Sequence, residues 1–335
     1  RKYLDLAEYF VDERGQKPNY FVKEAARLKK NKMTFFNWYA IDKGYWYCQA
    51  HKPLRQQDEA AGHAVRALYL YSGMADVAAE TGDAGLLDAC RRLWRSVTHR
   101  RMYITGGVGS ATFGEAFSFD YDLPNETAYA ETCANIALVL FAHRMLQIEA
   151  DSEYADVLER ALYNGVLSGV GLDGKHFFYA NHLAVFPQAS KGAGDNTAAS
   201  RQKWFGCACC PPNAARLLAS LGQYIYSTSD DTVHVHLYAS SRATCTVGGR
   251  SVEIRQATDY PWKERVLVAV NPGSPVRLTL ALRVPGWCRR AMFKVNGVTV
   301  NPAVRHGYAQ ISRRWEEGDE VQGIVQEVIE RLYEK

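Results

Sequence analysis

The sequence predicts a multidomain chain that is helical in its first two-thirds and built of β-strands in the remainder. Before about residue 227, apolar residues recur at helical spacing in paired segments that short turns join. After that point, apolar and polar residues alternate in short runs bounded by Gly, Asn, Asp and Pro. We therefore predict an incomplete α/α barrel, a toroid of helical hairpins, over residues 1–227 and a β-sandwich over residues 228–335.

The helical segments follow one another without intervening strands. Pro212 suits the first turn of the last helix, just ahead of its apolar face. The segments are too few for a closed barrel, so we expect further barrel helices upstream of Arg1. The predicted helices cover Tyr3–Arg14, Asp58–Asp83 with an interruption near Gly73, Ala84–Arg101, Glu131–Ala150, Ser152–Val170 and Pro211–Ser227.

The strand region carries the Asn296-Gly297 pair, which is typical of a two-residue hairpin turn. The last stretch, residues 321–335, leaves the alternating pattern, and we predict a terminal helix there. The predicted strands lie in Thr232–Ser240, Arg242–Gln256, Arg265–Asn271, Val276–Pro285, Phe293–Asn301 and Tyr308–Trp315.

Composition excludes several classes of protein. The chain of 335 residues is 47% hydrophobic and 23% charged, which is a globular composition, and it has no apolar run long enough to span a membrane. Its net charge of +4 is small and scattered, so no nucleic-acid partner is predicted. Eight cysteines in a chain of this size are not a small disulfide framework. A reducing compartment, the bacterial cytoplasm, is therefore expected, and a homodimer is compatible with the sequence.

Three cysteines crowd into the stretch CACC at Cys207, Cys209 and Cys210. Adjacent cysteines can hardly bridge each other in an ordinary backbone, so this stretch does not indicate a local disulfide. The remaining candidates are packing, redox chemistry, a metal site or a nucleophile. Elsewhere, Cys90 on a helix and Cys245 in a strand are expected to be small buried hydrophobes.

A long loop rich in Gly, aromatic and acidic residues covers residues 102–133 inside the helical region, and such loops are usually functional. It ends in Glu131-Thr-Cys133. Residues two apart face the same side only in an extended chain, so this pair must lie at the entry to the following helix. Together with Cys209 and Cys210 it offers four ligands of the kind that zinc prefers. A closed structural zinc site and buried cysteines without metal are the alternatives.

The loop also carries several carboxylates that could act in acid–base chemistry or simply be solvated. Their spacing alone does not indicate which of these carboxylates is catalytic. They are Glu115, Asp120, Asp122 and Glu126.

The runs MYITGGVGS, GEAFSFDYDLPNETAYAETCA, GHAVRALYLYSGMADVA and WFGCACCPPN resemble glycoside hydrolase family 127. The resemblance extends from the first residues to roughly Asp319. Members of that family are β-L-arabinofuranosidases with an α/α barrel followed by β-sandwich domains. The resemblance therefore implies the fold that the patterns predict independently.

The resemblance also implies roles for single residues. Cys209 corresponds to a zinc-bound cysteine nucleophile and Glu115 to the acid/base, in place of the usual two carboxylates of retaining glycosidases. His63 and Tyr179 correspond to residues that contact the substrate or lie near the nucleophile. Cys207 lies near the metal but is not needed for four-coordination.

Two further pocket residues, His51 and Trp204, are predicted because each borders a loop that could line the pocket. The resulting hypothesis is a Zn²⁺-dependent retaining glycosidase that removes terminal β-L-arabinofuranose from plant-derived glycans. One alternative is another sugar-active enzyme on this fold, a lyase or epimerase, which would need Tyr179 and His63 but not Cys209. The other is a carbohydrate-binding protein with a structural zinc.

Overall fold

The computed structural model describes residues 1–27, 44–186 and 195–326. Packing divides the chain into a first unit, Arg1–Ile148 with Val157–Leu218, and a second unit, Glu149–Asp156 with Ala219–Lys335. The first unit is helical and the second is rich in β-sheet, so the predicted order of secondary structure is confirmed. The predicted domain boundary at residue 227 lies within the second unit and stays a prediction.

The helices largely follow the predicted pattern, in agreement with an incomplete α/α barrel. The segment predicted from Asp58 becomes helical only at Ala64, and Gly73 does not interrupt it. Gly82, with φ of 71°, ends that helix, and the side chain of Asp83 caps the next. The described α-helices are α1 (Lys2–Glu13), α2 (Tyr20–Arg27), α3 (Ala64–Thr81), α4 (Ala84–Arg100), α5 (Thr132–Ile148), α6 (Ser152–Arg160) and α7 (Cys210–Ala219).

Helix α5 forms the centre of the helical core. Most of its residues are buried, which agrees with a sequence that is apolar on all sides. Tyr71 of α3 and Trp94 of α4 pack against Phe141 of α5, with ring centroids 5.7 and 5.6 Å apart. Among the described residues, no helix is both long and apolar enough to cross a bilayer. The long loop between α4 and α5 therefore connects two helices that pack against each other in this core.

The second unit contains two sheets. One has the strand order β1-β2-β6-β10-β9 and the other β3-β4-β5-β11-β7-β8, with every pairing antiparallel except that of β2 with β6. The strands are β1 (Tyr226–Thr228), β2 (Thr232–Val235), β3 (Ser241–Val247), β4 (Arg250–Thr258), β5 (Arg265–Pro272), β6 (Val276–Arg283), β7 (Arg290–Val295), β8 (Val298–Val300), β9 (Ala303–Arg305), β10 (Tyr308–Trp315) and β11 (Asp319–Gln326).

A single apolar core joins the two sheets, as in a β-sandwich. Leu280 of β6 and Trp315 of β10 belong to the same buried cluster as Ile254 of β4. The predicted hairpin is also present, because Asn296 and Gly297 take φ values of 49° and 80° between β7 and β8.

The prediction of a helix over residues 321–335 was wrong for its described part. Residues 321–326 belong to β11, which pairs with β5 on one side and with β7 on the other. Val321, Gly323 and Val325 alternate along the strand and are all buried, and Gly323 packs against the ring of Phe293. Ladder hydrogen bonds on both edges outweigh the helix-like spacing of the apolar residues. Residues 327–335 lie outside the described part of the chain.

Candidate active site and metal centre

Glu131 and Cys133 lie at the entry to α5. Glu131 is the last residue before the helix and Cys133 the second residue within it, and each is 3% exposed. Between them, the backbone N–H of Thr132 donates to the carbonyl of Tyr179 at 2.8 Å. The change from extended to helical backbone at this point directs both side chains to one side, as the spacing predicted.

Cys209 and Cys210 lie at the start of α7. The backbone N–H of Asn213 donates to the carbonyl of Cys209 at 3.1 Å and closes the first helical turn. The second and third residues of the helix are Pro211 and Pro212, which have no N–H, so this helix start offers few backbone donors to an anion. Cys210 is 1% exposed, whereas Cys209 is partly accessible.

These four side chains form one cluster whose ligand atoms all lie within 4.8 Å of one another. The Cys133 and Cys210 sulfurs are 3.5 Å apart, and those of Cys209 and Cys210 are 3.7 Å apart. Glu131 Oε1 lies 3.6 Å from the sulfur of Cys209 and 3.7 Å from that of Cys210. Tetrahedral bonds of roughly 2.0 to 2.3 Å give sulfur–sulfur and sulfur–oxygen separations of about 3.5 to 3.8 Å, so these distances fit a single metal ion.

A second observation supports the fit. Glu131 Oε2 is buried and has no hydrogen-bond partner among the described residues. Burying a carboxylate oxygen without a partner costs free energy, which a bound cation would offset. The cluster can therefore hold a metal ion.

The protonation equilibria of the cluster also depend on a cation. Burial raises the pKa of Glu131 to about 9, and the charges of Glu115 and Cys209 act in the same direction. Hydrogen bonds from Cys133 and Cys210 lower the pKa of Cys209, while the pKa of Cys210 is raised, first through its hydrogen bond with Cys133. Without a positive charge the cluster ionises only in part, and a divalent cation would favour the fully ionised form.

Glu115 comes from the long loop, which is pinned to the start of α3. The backbone N–H of Ala64 donates to the carbonyl of Glu115 at 2.9 Å, and a β-bridge joins His63 to Ala116. Glu115 takes φ of 50°, an uncommon value for a residue with a side chain. His63 Nε2 lies 3.0 Å from Glu115 Oε2, and the Tyr129 hydroxyl donates to Glu115 Oε1 at 2.7 Å.

The pKa of Glu115 is lowered. The hydrogen bond with His63 is the largest cause, burial opposes it, and the hydrogen bond from Tyr129 adds to it. The negative charge of Cys209 opposes this lowering of the pKa by a smaller amount. The structure therefore brings Glu115, His63 and Cys209 together, along with Tyr129, which the sequence analysis missed.

Tyr179 connects this loop to the metal cluster. Its hydroxyl oxygen lies 3.2 Å from the sulfur of Cys209, within hydrogen-bonding distance for sulfur. Its ring packs against those of Tyr129 and Phe205, at centroid distances of 6.2 and 5.4 Å. The arrangement places a carboxyl group and a thiol, each hydrogen-bonded to a tyrosine, around one site.

Comparison with known families agrees with this geometry. Residues 1–223 match the model of the β-L-arabinofuranosidase GH127 catalytic domain, and residues 232–325 match that of the GH127 middle domain. The chain belongs to glycoside hydrolase family 127. The resemblance inferred from the sequence motifs is thereby confirmed.

Relatives in family 127 include the non-reducing end β-L-arabinofuranosidase of Bifidobacterium longum subsp. longum. It is 40% identical over 321 residues, which cover 93% of this chain and 47% of the relative. The crystal structure of a GH127 β-L-arabinofuranosidase from Geobacillus stearothermophilus T6 is 54% identical with a TM-score of 0.91, covering 97% of this chain and 51% of that one. A GH127 β-arabinofuranosidase structure is 40% identical with a TM-score of 0.82, covering 97% and 48%. The chain spans about half the length of these family 127 proteins.

The other pocket residues predicted for this family 127 chain lie in different surroundings. His51 stacks on Trp46 with a centroid distance of 3.9 Å, and both of its ring nitrogens are buried with no hydrogen-bond partner in residues 1–27, 44–186 and 195–326. Burial lowers the pKa of His51 to about 4, so this histidine is neutral at pH 7. Trp204 is 67% exposed and Cys207 is exposed, although the neighbouring Phe205 packs on Tyr179. The roles of His51 and Trp204 as pocket residues stay predictions.

Proposed function

We propose that the protein is a retaining exo-glycosidase that releases terminal β-L-arabinofuranose from plant-derived glycans. Membership of family 127 supports this substrate class, because the relatives in Bifidobacterium longum and Geobacillus stearothermophilus are β-L-arabinofuranosidases. The partner is then a small glycoside or oligosaccharide. A cytoplasmic location and a homodimer stay predictions.

The observation that carries the proposal is the pairing of a thiol with a carboxyl group around one site. Tyr179 contacts Cys209, Tyr129 contacts Glu115, and the two tyrosine rings pack against each other. Such a pair provides a nucleophile and an acid/base, the two groups that retaining hydrolysis of a glycoside requires.

Zinc is the metal that we assign to the cluster. Thiolate ligands and tetrahedral separations favour zinc over magnesium or calcium, and Glu131, Cys133, Cys209 and Cys210 would hold it. When bound, zinc keeps its cysteine ligands deprotonated at neutral pH.

The reaction then follows from the residues. The sulfur of Cys209 bonds to the anomeric carbon as the glycosidic C–O bond breaks, and Glu115 gives its proton to the departing oxygen. In the second step, water attacks the same carbon and gives a proton to Glu115. The C–S bond breaks and Cys209 returns to its thiolate form. Two inversions at the anomeric carbon give net retention. His63 and Tyr179 would hold the sugar and the sulfur in place.

The decisive experiment identifies the modified residue. Zinc-loaded full-length protein is incubated with a β-L-arabinofuranosyl electrophile, and the adduct is located by mass spectrometry. We expect one sugar on Cys209, no adduct and no turnover in Cys209→Ser, and retained adduct and turnover in Cys207→Ser. The latter is the control for the ligand set, since Cys207 is exposed and is not one of the four ligands, although it lies beside Cys209 and Tyr179.

Other outcomes would contradict the proposal in distinct ways. A sugar on a carboxylate would leave Cys209 as a ligand only. Turnover of an acidic sugar by elimination, dependent on Tyr179 and His63 but not on Cys209, would indicate a lyase. Zinc-loaded protein without any turnover or adduct would favour a carbohydrate-binding protein with a structural zinc.

A further inference from the structure

Tyr129 holds one oxygen of the proposed acid/base. Its hydroxyl donates to Glu115 Oε1 at 2.7 Å, while the other oxygen, Oε2, lies 3.0 Å from His63 Nε2. Both oxygens of Glu115 are thus engaged by protein groups. An acid/base must nevertheless keep one oxygen available for the proton that it transfers.

The two partners of Glu115 differ in exposure. Tyr129 is 2% exposed, and its backbone is tied on both sides: its N–H donates to the carbonyl of Ser110 at 3.2 Å, and its carbonyl accepts from the N–H of Asn181 at 2.9 Å. A phenol is protonated at neutral pH, so the Tyr129 hydroxyl is a donor to the Glu115 carboxylate.

His63 is the more accessible partner. Its Nδ1 accepts from the backbone N–H of Arg66 at the start of α3, at a distance of 3.4 Å. When the ring is neutral and holds this bond, its proton lies on Nε2, which faces Glu115 Oε2. The ring packs edge-on against Tyr47, but the side chain of His63 is 14% exposed, so a substrate can displace it from Oε2 more readily than it can displace the buried Tyr129 from Oε1.

We propose that Tyr129 is a positioning residue for the acid/base. Its hydrogen bond fixes Glu115 Oε1, so that, once the substrate displaces His63 from Oε2, the transferable proton is carried on Oε2 and passes from there to the departing glycosidic oxygen. The inference rests on the proposed function. It adds Tyr129 to the residues that support the proposed reaction and assigns a separate role to each carboxyl oxygen of Glu115.

The test uses the dependence of rate on the leaving group. Proton donation by Glu115 should strongly increase the rate of bond cleavage for a poor leaving group, and it should change that rate little for a good leaving group. Zinc-loaded full-length protein is assayed with aryl and alkyl β-L-arabinofuranosides whose leaving groups span a wide range of pKa. For Tyr129→Phe we expect kcat/KM to fall by roughly 10- to 100-fold with the poorest leaving group and to change little with the best. The substitution keeps the ring that packs on Tyr179.

Tyr103→Phe is the matched control. Tyr103 is 2% exposed and its hydroxyl donates to the carbonyl of Pro124 at 3.2 Å, so the same atom is removed from a buried tyrosine of the same loop. Its kcat/KM should keep the wild-type dependence on the leaving group. Replacement of Tyr129 by 3-fluorotyrosine, which keeps the donor, should also preserve that dependence.

Each alternative result has one meaning. A Tyr129→Phe effect of equal size for every leaving group, or no effect at all, would overturn the positioning role. Loss of the wild-type dependence in the 3-fluorotyrosine protein, which retains the hydrogen bond, would overturn it as well. If the wild-type protein hydrolyses no arabinofuranoside, the proposed function itself fails, which is a different result.

Discussion

At the scale of single residues, Arg283 is a buried charge paired with an acidic residue. Its side chain is fully buried, and Nη1 contacts Asp156 Oδ1 at 2.5 Å. The other oxygen of Asp156 accepts from the backbone N–H of Gly286 at 2.9 Å. Replacing the carboxylate by an amide of the same shape removes the negative charge from this buried ion pair. We expect Asp156→Asn to lower the free energy of unfolding by about 3 kcal/mol, measured by urea denaturation.

The same substitution at an exposed ion pair provides the control. Asp259 contacts Lys263 at 2.6 Å, but their side chains are 64% and 71% exposed. Solvent screens such a pair, so Asp259→Asn should cost about 0–1 kcal/mol. If the two variants lost the same free energy of unfolding, burial of the ion pair would not determine how much its removal destabilises the protein.

Single residues also show how far the sequence could predict the site. Glu131, Cys133, Cys209 and Cys210 were found because thiols and carboxylates in these spacings point to a metal. Tyr129 was missed, although it lies only two residues before Glu131; Ala130 between them takes φ of 39°, so the alternation of an extended chain does not predict its direction. A tyrosine in an aromatic-rich loop does not by itself indicate contact with an acid that is fourteen residues away.

At the scale of elements, the loop that carries Glu115 depends on glycines at close approaches. Gly109 takes φ of 81°, and a Cβ added there would lie 2.8 Å from the Cβ of Ala64 at the start of α3. A residue with a side chain at position 109 would be strained by the positive φ, and its Cβ would also clash with the Cβ of Ala64. We expect Gly109→Ala to destabilise the first unit by about 1–3 kcal/mol, measured by thermal or urea unfolding.

Gly73 provides the opposite case within α3. It lies in the helix interior, and a Cβ there would meet no atom within 4 Å. Alanine restricts the unfolded chain and favours the helix, so Gly73→Ala should raise the free energy of unfolding by about 0.5–1 kcal/mol. If Gly109→Ala were also neutral or stabilising, the loop would not be packed against α3 as described.

Elements whose apolar residues recur at a regular spacing were predictable from the sequence. A strand that depends on pairing with distant strands was not. Helix α5 is apolar on all sides and was found nearly to its ends. Strand β11 was missed because Val321, Ile324 and Val325 also fit a helical spacing. Only its two neighbours, β5 and β7, decide in favour of a strand, and neither lies near it in the sequence. Local patterns do not contain that information.

At the scale of the whole molecule, the metal cluster links distant parts of the helical unit. Cys133 and Cys210 are 77 residues apart in the chain, yet their sulfurs are 3.5 Å apart. A bound metal would act as a cross-link that closes this long loop, a constraint worth on the order of 4 kcal/mol in the chain-entropy picture. The second unit holds none of the four ligands.

Metal removal should therefore weaken the helical unit selectively. We expect chelation to increase amide hydrogen exchange at the entry to α5 and in the first turn of α7, while exchange in the central strands β4 and β5 stays unchanged. Zinc should restore protection in wild-type protein and in Cys207→Ser, but not in Cys210→Ser, because only the last variant lacks a ligand. Uniform loss of protection across both units would indicate global unfolding, and no loss at all would mean that the cluster is stable without a cation. The selective pattern is expected because a cross-link stabilises the segments that it joins, and all four ligands belong to the first unit.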